Sequence, residues 1–182
     1  LVFEITSNDE SLQNYPYHFR VEIAYELKGK EITITYRVQN LESDQVMPYF
    51  IGGHPAFRCP LLTDEDYEDY ELIFEKEESC SVPLLFTETG LVDRLQRTPF
   101  LDHSRRLPLR HELFEKDAII LDQLASKSVQ LLSKKSGKGL EFAFSDFENL
   151  VLWSTNNKGP FIALEPWTGI STSAEEGDFF ED

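Results

Sequence analysis

The chain has 182 residues, 41% of them hydrophobic, with 14 Phe, 7 Tyr and 2 Trp, a composition that supports one packed domain over 1–182 and excludes a disordered chain. With 33 acidic against 17 basic residues the formal charge is −16, which repels a phosphate backbone and argues against nucleic acid or an anionic membrane as partner. No apolar window approaches a membrane span and no signal-peptide pattern opens the chain, so a cytoplasmic protein is expected.

Leu1 runs straight into Val2, Phe3 and Ile5 with no Met before it, as if the chain were entered in mid-strand, and upstream residues are expected. From Phe19, the apolar Val21, Ile23, Tyr25 and Leu27 alternate with Arg20, Glu22 and Glu26, the period of a half-buried strand. Lys28-Gly29-Lys30 interrupts the pattern, which resumes at Ile32, Ile34, Tyr36 and Val38; the two runs predict a β-hairpin. Met47 to Ile51 is apolar on both faces and predicts a strand inside a sandwich, ending at Gly52-Gly53-His54-Pro55.

Between Thr63 and Glu78 nine acidic residues surround Tyr67, Tyr70, Leu72 and Phe74. Their spacing fits no calcium-binding loop, so a solvated loop leading into an exposed strand face is expected. Leu109 to Glu115 predicts a helical turn. A second hairpin is expected where Val129 and Leu131 precede a Lys/Gly-rich turn and the alternating Leu140, Phe142 and Phe144. Leu150–Trp153 and Phe161–Leu164 add two short strands across a turn-forming Asn156–Pro160 segment. Many short strands with almost no helix predict an all-β sandwich or barrel. Cys59 and Cys80 are too few and too far apart for a disulfide framework or a zinc pair, and reduced, partly buried thiols are expected.

Hydrolase-elbow, phosphate-loop and dinucleotide signatures are absent, and His111-Glu112 lacks the second histidine of a zinc helix, since position 115 is Glu115. His18 and His103 sit in polar surroundings and are expected at the surface. His54 differs. Two glycines allow a sharp turn or close approach to a ligand before it, and Pro55 keeps it out of the helical region. A structural histidine at a strand end would show the same pattern, so the catalytic reading needs a partner. Glu165 supplies one: it closes the apolar run Phe161–Leu164 before Pro166 and Trp167, where desolvation would raise its pKa and suit it to general-base work. Trp167 adds a flat apolar face of the kind that stacks on a sugar ring, though a lone aromatic is more often a core residue.

Three segments, Ile51–Phe57 (IGGHPAF), Leu113–Ala118 (LFEKDA) and Leu164–Gly169 (LEPWTG), together resemble the aldose 1-epimerase, or galactose mutarotase, family, and most closely its LacX-like branch. The likeness covers nearly the whole chain. It implies a large antiparallel β-sandwich. It further implies His54 as general acid, Glu165 as general base, and Asp117 as a hydrogen-bond partner of sugar hydroxyls, with Trp167 and Phe57 beside the substrate. The implied reaction opens and recloses the cyclic hemiacetal of a free hexose, with the two catalytic groups on opposite sides of the reacting carbon. It uses no metal and no cofactor. Two features depart from the family. The arginine and second histidine that precede the hairpin in other members have no counterpart here, and Glu175–Glu181 stops short of the last strands. Strands missing at both ends are therefore expected.

Three functions compete on the sequence: an isomerase that interconverts the α and β anomers of a sugar, a carbohydrate-binding or sugar-sensing sandwich without turnover, and an accessory domain without a ligand. Joint presence of His54 and Glu165 separates the first from the second, because binding alone needs no acid–base pair.

Overall fold

A computed structural model describes residues 1–177, which form two compact units, one over Leu1–Tyr49 and one from Phe50 onward. The expectation of further strands beyond Asp182 lies outside the described residues.

The first unit is a three-stranded antiparallel sheet of β1 (Val2–Thr6), β2 (Phe19–Lys28) and β3 (Glu31–Asn40), in the order β1-β2-β3. The expected hairpin is present: Val21 faces Val38, Ile23 faces Tyr36, and Lys28 faces Glu31 across the two-residue turn. Gly29 opens that turn at φ 64, a conformation that favours glycine and suits the twist of the flanking strands. Phe3 lies opposite Ile23 and Ile5 opposite Val21, so alternation puts these two on the face that carries Val21, Ile23, Tyr36 and Val38 of the hairpin.

In the second unit, β4 (Ala56–Arg58), β5 (Tyr70–Phe86), β6 (Leu91–Pro108), β7 (Ile119–Leu121), β8 (Ser128–Ser133), β9 (Gly139–Ala143), β10 (Asn149–Trp153) and β11 (Phe161–Trp167) build two four-stranded sheets. Their orders are β4-β11-β10-β7 and β6-β5-β8-β9, and each ladder between these strands is antiparallel. Leu72, Phe74, Val129 and Leu131 of one sheet share a buried cluster with Leu150, Leu152, Ile162 and Leu164 of the other. This unit is thus an all-β sandwich. Both later strand pairs read from the sequence are present, and the helical turn is a 3₁₀ turn at His111–Phe114 that drives Phe114 into the core. No helix among the described residues is long and apolar enough to cross a membrane.

Two expectations are corrected. Met47–Ile51 forms no strand, and Tyr49 and Phe50 are exposed. Pro48 has no N–H to give a ladder, and the Ile51 N–H bonds to the Thr168 hydroxyl at 2.9 Å instead of to a strand carbonyl.

The acidic stretch is only partly solvated: Glu65, Glu71 and Glu78 are buried. Glu65 accepts hydrogen bonds from the Tyr70 and Ser133 hydroxyls, and Glu71 pairs with Arg106. Glu78, where the β5–β6 register shifts, accepts the backbone N–H groups of Ala125 and Ser126 at 3.0 and 2.7 Å. Burial without a partner would be costly for these groups, and each has one. Cys59 and Cys80 are free and buried; burial, with help from Glu65, pushes the Cys59 thiol up to about 12, which leaves it unreactive.

Candidate active site

Strand β11 places Glu165 by alternation. Ile162 and Leu164 point into the core, so Ala163, Glu165 and Trp167 take the opposite face. On that face Glu165 lies opposite Val151, which lies opposite Ile120, and Val151 and Ile120 form a small second cluster against which Trp167 packs. Glu165 is therefore set among apolar neighbours and is only 3% exposed.

His54 reaches Glu165 because the segment before β4 runs antiparallel beside β11. Thr168 N–H donates to the Ile51 carbonyl at 2.9 Å, Gly53 N–H to that of Pro166 at 3.0 Å, and Leu164 N–H to that of Pro55 at 3.1 Å. This irregular ladder leaves His54 level with Glu165, and His54 Nε2 is 3.2 Å from Glu165 Oε1. The imidazole is more than half exposed while the carboxylate beneath it is buried, so anything entering from solvent meets His54 first.

Gly52 is needed for a further reason besides the expected turn or ligand approach. It bridges Trp167, and a Cβ on it would stand 2.5 Å from Trp167 Cδ1 and 3.1 Å from the Pro166 carbonyl. Gly52→Ala is accordingly expected to lower stability by about 1–3 kcal/mol, the usual cost of overpacking, and to push Trp167 off its place beside Glu165. Chemical denaturation checks this; an unchanged midpoint would show that the indole moves freely.

Burial raises the pKa of Glu165 above the ordinary carboxylate range. His54 and a hydrogen bond from Trp167 pull it down, and the negative charge of Asp117 adds a smaller upward push. The cavity over the pair, about 420 Å³, is lined by Phe50, Gly52, Gly53, Trp167 and Ile170 besides His54 and Glu165.

His54, Glu165 and Trp167 thus come together. Asp117 lies next to them, in an adjoining groove with Trp153, at φ 76 just past the 3₁₀ turn. Phe57 does not line the cavity: it packs at the core edge with its ring 5.8 Å from that of Phe142. One residue escaped the sequence reading. Trp153, facing Ala163 across the β10–β11 ladder, donates its indole N–H to Asp117 Oδ1 at 2.9 Å and meets the His54 ring edge-on at 5.7 Å. An aromatic residue closing an apolar strand was the only signal, and it is equally the signal of a core residue. No group of three or more His, Cys, Asp or Glu among the described residues is placed to hold a metal ion.

The 3.2 Å contact also alters the expected geometry. No sugar carbon fits between the two groups as they stand, whereas the expectation had them on opposite sides of a reacting carbon.

The family model of aldose 1-epimerase matches residues 1–180. The chromosomal LacX protein of Lactococcus lactis subsp. lactis is 57% identical over 182 residues, all of this chain and 61% of that protein. The chain therefore spans about three fifths of the length of the curated relative it matches. A galactose mutarotase related enzyme from Lactobacillus acidophilus superposes with a TM-score of 0.88 at 25% identity, over 99% of this chain and 59% of that one. A galactose mutarotase-like protein from Lactobacillus casei superposes with a TM-score of 0.81 at 28% identity, over 96% of this chain and 60% of the other. On the antiparallel fold, the match along almost the full sequence and these relatives, the chain belongs to the aldose 1-epimerase family, in its LacX-like branch.

Proposed function

We propose that this chain carries the acid–base pair of a mutarotase, an isomerase that interconverts the α and β anomers of a free hexose, with Glu165 as general base and His54 as general acid. The observation that carries the reading is the buried carboxylate in contact with a solvent-open imidazole at the floor of one cavity. Opening the hemiacetal takes one proton from the anomeric hydroxyl and gives one to the ring oxygen. Glu165 accepts the first and protonated His54 supplies the second as the bond from C1 to the ring oxygen breaks. Both oxygens are bonded to C1, so two neighbouring groups serve them once the imidazole gives up its contact with Glu165. Rotation about the bond from C1 to C2 turns the aldehyde. On reclosure His54 takes the proton from the attacking hydroxyl and Glu165 returns its proton to the carbonyl oxygen. All protons come from the pair, and no cofactor enters the balance.

Trp167 offers an apolar face beside Glu165, and Asp117 an acceptor for sugar hydroxyls one residue contact away. A raised Glu165 pKa gives the reaction a pH signature. The base works ionised, so the rate should climb with pH through a midpoint above the ordinary carboxylate range. Polarimetry on freshly dissolved α-glucose and α-galactose tests both points. Faster relaxation in proportion to protein, with an unchanged final rotation, is expected. Relaxation at the buffer's own rate, with sugar still bound, would favour a carbohydrate-binding module.

A further inference from the structure

We propose that His111, stacked on Tyr67, is a positioning residue that holds Asp117 in place while its ring is neutral and releases it on protonation, which makes sugar affinity sensitive to pH; this rests on the reading above in which Asp117 accepts sugar hydroxyls. The turn His111–Phe114 that precedes Asp117 holds itself poorly. It has no side-chain cap, and the Leu113 and Glu115 N–H groups reach the carbonyls of Arg110 and Glu112 at 3.2 and 3.4 Å. Two side chains anchor it instead. Phe114 enters the core, and the His111 ring lies flat on that of Tyr67, with centroids 4.0 Å and planes 21° apart. Tyr67 is a firm support: it is 6% exposed and sits in a second 3₁₀ turn, Tyr67–Asp69, closed by reciprocal bonds between Asp66 and Asp69. Asp117 follows at φ 76, a strained conformation that lasts only where the neighbouring structure imposes it.

The stack tolerates only a neutral imidazole. Tyr67 Oη and His111 Nδ1 are buried, and neither has a hydrogen-bond partner among the described residues. Ser154 comes near the Tyr67 hydroxyl but gives its own proton to the Phe161 carbonyl at 2.7 Å. A neutral ring with its proton on Nε2 leaves Nδ1 as a bare lone pair, whereas a protonated ring places there a charged N–H with nothing to accept it. Burial therefore holds the His111 imidazole below its ordinary value, and the Lys158 ammonium of the β10–β11 loop acts the same way. Glu112 of the same turn and Glu68 beside Tyr67 pull in the opposite sense without overcoming them. Tyr67 stays uncharged, since burial and the neighbouring Cys59 push its phenol up. An opened turn lets His111 take its proton in water. The closed turn thus keeps its full stability above the ordinary imidazole value of 6.5 and loses it as pH falls below that value.

Trp153 reports on Asp117, because its indole N–H is bonded to Asp117 Oδ1. Its indole signal, one of two in the chain, is followed by NMR from about pH 7.5 to about pH 5, the range of an imidazole. The protein used is the double variant His54→Asn/Glu165→Gln, which removes the two titrating groups of the pair from beside Trp153 and Asp117. The signal should step below pH 6.5. His111→Phe, which keeps a flat ring on Tyr67 but has no proton to gain, should abolish the step, and so should His111→Gln. Calorimetry with glucose and galactose on Glu165→Gln should show affinity falling over the same range about fivefold further than in Glu165→Gln/His111→Phe, a usual coupling between two sites. No step, or a step that both His111 variants leave in place, overturns the role of His111 and leaves the acid–base pair standing. If neither sugar binds at any pH, the reading of Asp117 fails, and the indole signal still decides whether His111 holds it.

Discussion

Glu165→Gln should lower anomer interconversion by roughly 10²–10⁴-fold, the usual worth of a positioned acid or base, while sugar binding largely survives. The amide keeps the shape and one acceptor oxygen but cannot take a proton. His54→Asn should act alike. Because each change disables one half of a concerted pair, the double variant should be little worse than either single one; multiplied losses would mean that the two residues act in separate steps.

The same Glu165 variant should be more stable than the wild type at neutral pH. A carboxylate whose pKa is raised by burial favours its protonated form in the fold, so its contribution is fully present below the ordinary carboxylate pKa and is lost as pH rises through the raised value. Gln escapes that loss. The difference in melting temperature should therefore vanish in acid and grow toward neutrality, and a wild type as stable as the variant at pH 7 would contradict a desolvated Glu165.

Glu78→Ala should cost about 2–4 kcal/mol of folding stability, since it removes two hydrogen bonds to a charged acceptor and leaves the buried Ser126 N–H without a partner. Glu78→Gln, which keeps one acceptor oxygen, should lose less. Urea denaturation measures both; a loss for alanine below about 0.5 kcal/mol would mean that water replaces the carboxylate, as at an exposed site.

Glu78 also shows where the sequence was legible and where it was not. Hairpins such as β2–β3 and β8–β9 stand out because one face of each strand is apolar, and period-two alternation reports that directly. Long strands β5 and β6 do not. Their ladder shifts register four times, and a shift breaks the alternation on which a strand is read. An acidic residue at a shift, such as Glu78, is indistinguishable from a solvated one until the loop whose amides it accepts is in place. Met47–Ile51 misled in the opposite sense, being apolar without being paired. His54 and Glu165 were legible because each ends or follows an apolar run beside a proline. Their contact was not, since it depends on the ladder from Ile51 to Ala56 along β11. Trp153 was hidden for the same reason, as its two partners come from distant segments. Phe57 sits close in sequence to His54, yet the following strand turns its ring to the core.

The central claim, that His54 and Glu165 together exchange the anomers of a sugar, is tested most directly by magnetisation-exchange NMR on an equilibrated solution of glucose or galactose. Cross-peaks between the α and β anomeric protons should grow with the concentration of the wild-type chain and stay at the protein-free level with Glu165→Gln or His54→Asn, although the sugar still binds both variants. Equal exchange with the wild type and with either variant would place the chemistry on other residues and contradict the assignment.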